Sequence, residues 1–268
     1  MLIEGNFKVG SRNFSIWFNT FREKYPDIFP HPLEARNFAN VIRRVETLTG
    51  KPAITVNEFI GHFAIIYNET GGTFRPVTEK GPNWADPDDF RNDAYFFVAI
   101  PGKKRSYNQG PQNMPAGDLL RDWGVISRDE DVETWNSTTE YPMGQPEDVR
   151  RRARDCDFYK FRGRGLNQIT WRTGYTHFVD PAVAPMTTGQ MTNAQLDAAF
   201  TRPAVYCGVF CNYVNDPFWA GKAIGPLIAG DFTQYPLYVA GKTAVEYQKR
   251  FVKRCQTLKL ALRGAGLE

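Results

Sequence analysis

The clearest helical periodicity lies in residues 243–262. Phe251, Cys255, Leu258 and Leu262 line one face there, while Lys249, Arg250, Lys253 and Arg254 fall mostly outside it. Gly264 is the expected cap of this helix. Residues 12–25 and 33–48 also read as amphipathic helices, separated by Pro26, Pro30 and Pro32, the second carrying Phe38, Val41, Ile42 and Val45 as its apolar stripe. A third helix begins near Val56, because Thr55 followed by Glu58 is a capping box; Phe59, Phe63 and Ile66 give it a buried face, and Gly71–Gly72 stop it. Thr192 with Gln195 opens another helix, which Pro203 interrupts or restarts; the segment after it carries Val205, Tyr206, Val209, Phe210 and Tyr213 on more than one side and is expected to be central.

Between these helices the pattern is weaker. Residues 73–92 read as loop, with an acidic cluster at Asp86, Asp88 and Asp89. Tyr95–Ile100 is an apolar run that periodicity assigns to neither strand nor helix. Residues 102–145 are turn-rich, with a short helix expected over 116–123, and Glu147–Asp155 is a charged helical turn or two. Trp219 to Pro226 reads as a connector. The expectation is a single, mainly α-helical domain over 1–268, with few short strands and a possible inserted loop or small lobe at 93–145.

Composition narrows the classes. The 268 residues are 42% hydrophobic and 14% aromatic, enough for a sizeable core, which argues against disorder. A net charge of +4 fits an anionic polymer as partner but also many enzymes of neutral substrates. The run Arg150-Arg151-Arg152-Ala153-Arg154 is flanked by Glu147, Asp148, Asp155 and Asp157 and has no aromatic stacking pattern, so a solvated face or internal ion pairs is expected rather than nucleic acid. Four cysteines form no CxxC pair and the three histidines are scattered, so no metal is expected; Cys207 and Cys211 read as buried small residues. No apolar run approaches the roughly 18 residues of a membrane span, and Met1–Gly5 starts no signal peptide.

The candidate chemistry lies in two stretches. Glu69 ends the third helix, where the negative end of the helix dipole disfavours its charged form, as suits a general acid. Glu79 follows ten residues later in a polar loop beside Lys80, which suits a carboxylate that stays ionised and acts as base. Should Glu79 not serve, Asp86, Asp88 and Asp89 are next in line. Tyr159 to Thr170 carries Gly163-Arg164-Gly165, whose glycines let backbone approach a ligand, followed by Gln168 and Thr170, which can hydrogen-bond hydroxyl or acetamido groups. Arg164 reads either as a ligand contact or as a structural cation holding the turn.

Glu69-Thr70-Gly71-Gly72 at the end of an apolar helix, the Thr-Glu at 78–79, and Gly163-Arg164-Gly165-x-x-Gln168-x-Thr170 preceded by Tyr159 together resemble family 19 glycoside hydrolases, the chitinases and related endolysins. The matching stretches are 55–80 and 157–176. The resemblance implies a lysozyme-like fold of two helical lobes around a substrate cleft. It also implies Glu69 as general acid, Glu79 as general base, and substrate contacts from Tyr159, Arg164, Gln168 and Thr170. The expected activity is inverting hydrolysis of β-1,4 linkages in an N-acetylglucosamine-containing glycan, peptidoglycan before chitin, with no cofactor, by a monomer that acts in the periplasm or outside the cell after delivery by another system. A non-catalytic carbohydrate-binding protein is the alternative. The chain departs from the family pattern where Asn68 replaces a histidine, where Gly174 replaces an asparagine, and where Val239-Ala240-Gly241 lacks the asparagine of an Ile-Asn-Gly-Gly motif.

Overall fold

The computed structural model describes residues 8–13, 23, 53–83, 85–86, 88–97, 107, 118, 121–123, 127, 141, 144–218, 221–236, 245–264 and 266–268. The elements are β1 (Lys8–Val9), β2 (Arg12–Asn13), β3 (Ala53–Ile54), α1 (Val56–Glu69), β4 (Val77–Thr78), α2 (Phe90–Phe97), α3 (Glu147–Arg154) and α4 (Asp157–Lys160). They continue with β5 (Arg164–Gly165), α5 (Trp171–Gly174), a π-helical turn (Tyr175–Val179), α6 (Asp180–Val183), α7 (Asn193–Phe200), α8 (Pro203–Val214), α9 (Gly221–Ala229) and α10 (Val245–Gly264). The protein is mainly helical, as its periodicity predicts. Of the helix expected over 12–25 only Arg12, Asn13 and Glu23 are described, and the helix expected over 33–48 and most of 93–145 lie outside the described residues. Arg12–Asn13, placed in a helix by the sequence pattern, is instead a strand. No helix among the described residues is long and apolar enough to cross a membrane.

The chain divides into two compact units. The first comprises Met1–Val77, Gly165–Asn167 and Thr201–Glu268; the second comprises Thr78–Arg164 and Gln168–Phe200.

In the first unit α1 is the organising element. Thr55 accepts from the Glu58 amide at 3.1 Å while the Thr55 amide donates to Glu58 Oε2 at 2.7 Å, the reciprocal capping box expected from the sequence. Every residue from Glu58 to Ile66 is buried, so the middle of this helix is enclosed on all sides. α9 and α10 pack on it. Gly61 makes the α9 contact possible, since a Cβ there would stand 2.7 Å from Leu227 Cδ1. The segment read as a connector thus forms a helix, α9, with Pro226 inside it; tertiary packing on α1 outweighs the Gly and Pro signals. α10 runs to Gly264 and is closed by Gly266 at φ +69, with the Leu267 amide donating to the Leu262 carbonyl at 2.9 Å. The turn glycine is therefore Gly266 rather than Gly264. A small sheet in the order β2-β1-β3 pairs Lys8 with Asn13 antiparallel and with Ala53 parallel.

In the second unit an aromatic cluster forms the core: Phe96, Phe97, Tyr107, Tyr141, Phe158 and Tyr159 are all buried. The ambiguous run at 95–100 is helical where described, as the end of α2. The arginine run on α3 makes internal ion pairs, as expected, but with distant partners. Arg150 and Arg154 donate to the buried Asp93 at 2.9 and 2.8 Å, and Arg154 also reaches Asp88 at 3.0 Å. Gly81 sits against α2, where a Cβ would lie 2.4 Å from Asn92 Cα. Because backbone cannot swing aside, Gly81→Ala is expected to destabilise by about 1–3 kcal/mol, read as a lower urea midpoint at unchanged slope. An unchanged midpoint would mean that the contact relaxes freely.

All four cysteines are buried and unbridged, as read from the sequence for Cys207 and Cys211. Burial pushes the Cys156 and Cys255 thiols well above their ordinary range.

Candidate functional site

Glu69 belongs to the first unit and Glu79 to the second. Glu69 is the last residue of α1 and half-buried. The turn beyond it is built by side chain and backbone together. The Thr70 hydroxyl donates to the Ile66 carbonyl at 2.7 Å, and the Phe74 amide donates to that same hydroxyl at 3.0 Å. Gly71 and Gly72 take φ of +60 and +83, the left-handed values that glycine adopts without steric cost. Tyr247, near the start of α10, donates its hydroxyl to Glu69 Oε1 at 2.6 Å, and Asn68 hydrogen-bonds the same tyrosine. Burial and the Glu69 charge push the Tyr247 phenol well above its usual range, so it stays a donor.

Glu79 follows β4 and is also half-buried. Its amide donates to the Gly163 carbonyl at 2.7 Å. Its Oε2 accepts from the Gly163 amide at 2.9 Å and from the Tyr107 hydroxyl at 2.7 Å. Among the described residues no donor meets Oε1. Tyr107 is itself fixed by rings, with Trp171 edge-on at 5.1 Å and Phe96 at 6.3 Å. Burial and the charge of Glu79 raise its phenol pKa far out of reach, so it too remains a donor.

The Gly-Arg-Gly stretch forms a closed loop. Arg164 and Ile169 exchange two backbone hydrogen bonds, at 3.1 and 2.9 Å. Gln168 sits at φ +53, a left-handed conformation that costs a non-glycine residue roughly 1–2 kcal/mol. Gly163 lies where a Cβ would be 2.6 Å from Gln168 Oε1 and 3.1 Å from Glu79 Oε2, so this glycine lets base candidate and glutamine approach together. Thr170 is half-buried and precedes α5.

The structure separates the remaining expected contacts from these. Arg164 is fully buried, and its guanidinium donates to Asp197 and Asn193, both at 2.7 Å, to the Tyr175 hydroxyl at 2.7 Å and to the Lys160 carbonyl. Its donors serve the fold, the structural of the two roles the sequence left open. Tyr159 is buried beneath the Arg162 guanidinium, 4.1 Å from its ring centroid. Arg162, which sequence reasoning did not single out, donates to the Glu79 carbonyl at 3.1 Å. Asn167 was also passed over; its amide is buried and meets no partner among the described residues.

The reserve acids are engaged elsewhere. Asp89 is bound by Arg91 and Asn83, and Arg91 holds its carboxyl well below the usual range. Asp88 pairs with Arg154, and Asp86 accepts from the Asp88 amide at 3.1 Å.

Tyr107 and Tyr247 were missing from the sequence reading. Both are far from their partners along the chain, and a lone tyrosine in a turn-rich stretch or on a helix face carries no local signal. Tyr107→Phe is expected to remove one hydrogen bond to a charged group and to destabilise by about 1.5–3 kcal/mol, measured by urea unfolding. A change below about 0.5 kcal/mol would show that the phenol is not anchoring Glu79.

No protein-family model, curated protein or solved structure matches the chain. Among the described residues no group of His, Cys, Asp or Glu is arranged to hold a metal ion.

Proposed function

We propose that the chain is an inverting endo-glycosidase of lysozyme-like type that hydrolyses β-1,4 linkages in an N-acetylglucosamine-containing glycan, peptidoglycan in preference to chitin. The observation that carries this reading is the anchoring of Glu79. Two donors grip Oε2, none among the described residues meets Oε1, and the grip is shared with the Gly163 backbone beside Gln168. A carboxylate held by one oxygen keeps the other for a proton, which is what a general base needs.

In the proposed reaction Glu69, protonated, gives its proton to the glycosidic oxygen as the C1–O bond breaks. A water attacks C1 from the opposite face and loses a proton to Glu79 Oε1. Water is consumed, the anomeric configuration inverts, and the two carboxyl groups exchange a proton through solvent before the next turnover. Tyr247 stabilises the Glu69 carboxylate left by the first transfer. Gln168, and Thr170 beside it, are the proposed contacts to the sugar hydroxyl or acetamido groups. In this reading the enzyme works outside the cytoplasm.

The test is incubation of the protein with purified sacculi and with colloidal chitin, following the anomer by proton NMR. Release of α-anomeric ends first supports the proposal. Release of β-anomeric ends, or of no sugars from either substrate, overturns it; binding of chito-oligosaccharide without turnover would favour a carbohydrate-binding protein instead.

A further inference from the structure

Arg250, Lys253, Arg254, Thr257, Leu258 and Ala261 recur at three- and four-residue intervals and so share one stripe of α10. With Phe63 and Tyr67 of α1 they line a cavity of about 400 Å³ within the first unit. That volume falls in the range of roughly 300–1,000 Å³ usual for small-ligand sites. Its floor is apolar, Phe63 and Leu258 being buried, and its rim is cationic, Arg250 and Lys253 being exposed. Arg254 is laid over the Tyr67 ring at 3.8 Å, which fixes the guanidinium, and its buried Nε meets no acceptor among the described residues.

The charge is not distributed as it is elsewhere on the same helix. Lys249 pairs with Glu246, and Lys259 and Arg263 pair with Glu268. Across the pocket, by contrast, none of Arg250, Lys253 and Arg254 meets a carboxylate among the described residues. Three cations that meet no carboxylate among the described residues, set over an aromatic and aliphatic floor, fit a ligand that carries carboxylates on short apolar units. Neutral chitin has no group for such a rim. The pocket also begins one helical turn, about 5 Å, after Tyr247, the residue that holds Glu69.

We propose that the pocket between α1 and α10 binds an acidic peptide. Taken together with the glycosidase reading, on which this second part rests, the peptide is the stem attached to peptidoglycan strands, and the pocket selects peptide-bearing glycan over chitin.

The probe is the free tetrapeptide L-Ala-γ-D-Glu-diaminopimelyl-D-Ala, titrated calorimetrically into the whole protein, beside the same peptide with its carboxylates amidated. The acidic form is expected to bind at least about tenfold more tightly, since amidation removes the charge-assisted hydrogen bonds to the cationic rim. Its affinity is expected to fall with salt and to drop at least about tenfold again in the double variant Arg250→Glu/Lys253→Glu, two exposed positions whose folding is checked by circular dichroism. In the same variant the ratio of kcat/KM on sacculi to that on chito-oligosaccharide is expected to fall. Absence of binding to the wild type, equal binding of the amidated peptide, or tighter binding of glycerol phosphate overturns the proposal, and none of these needs the variant. Peptide binding without hydrolysis of either glycan would leave the pocket standing and the glycosidase reading overturned. Hydrolysis of sacculi without peptide binding would do the reverse.

Discussion

Glu79→Gln is expected to lower kcat on the cleaved glycan by a factor of about 10²–10⁴, the range for removal of a positioned general base. The melting temperature should stay within about a degree. The reason lies in where the two donors go. Tyr107 and the Gly163 amide both meet Oε2, so a glutamine that turns its carbonyl oxygen to that side keeps both hydrogen bonds. Its amide then falls on the Oε1 side, where no donor of the protein competes among the described residues, and where a carboxylate would have taken the proton. Shape and anchoring survive while basicity is lost. The measurement is reducing-sugar release together with calorimetric melting. A variant that retains more than about a tenth of wild-type turnover removes Glu79 from the mechanism. The reserve acids would not then be ready substitutes, because Asp88 and Asp89 are tied to Arg154 and Arg91.

Arg164→Met carries the largest expected cost in stability, about 3–5 kcal/mol, because the guanidinium hydrogen bonds to the buried Lys160 carbonyl and Tyr175 hydroxyl and to Asn193 and Asp197 go together, each unmade bond costing about 1–3 kcal/mol. Methionine matches much of the volume but offers no donor. The Lys160 carbonyl and the Asn193 side-chain oxygen each lose a guanidinium hydrogen bond, and Asp197, which accepts from both Arg162 and Arg164, loses one of its two cations. At roughly 2–4 °C per kcal/mol for a chain of this size, melting should fall by roughly 10 °C. Arg164→Lys should recover little, because a single ammonium cannot reproduce the planar fork that meets these separate acceptors. A melting temperature within about 2 °C of wild type would show that Arg164 is free to serve a ligand after all.

Much of the first unit was legible because its signals are local. The Thr55–Glu58 box, the apolar face of Phe59, Phe63 and Ile66, and the paired Gly71 and Gly72 fix the beginning, orientation and end of α1 within one stretch of chain. The same holds for the Thr192–Gln195 box, formed at 2.7 and 3.2 Å, and for Pro203 at the start of α8. What failed was what depends on distant packing. α9 has the composition of a loop and is helical because Leu227 seats on Gly61. The site itself divides in the same way. The positions of Glu69 and Glu79 could be argued from sequence, whereas the phenols that hold them come from residues 178 and 28 positions away. Arg164 left two readings open in the sequence; only its neighbours, brought together from α4, α7 and the π-helical turn, choose between them.

The four thiols bear on how such a protein tolerates its surroundings. None is cross-linked and each is sealed in a core, with Cys156 and Cys255 held firmly in the protonated form that neither attacks nor is readily oxidised. The fold therefore makes no use of an oxidant and offers none an easy target. It can be completed in a reducing compartment and carried unchanged into an oxidising one, with no bridge to form on arrival and none to be scrambled on the way. For a protein proposed to be made on one side of a membrane and to act on the other, redox chemistry is absent from the list of things that must happen in transit.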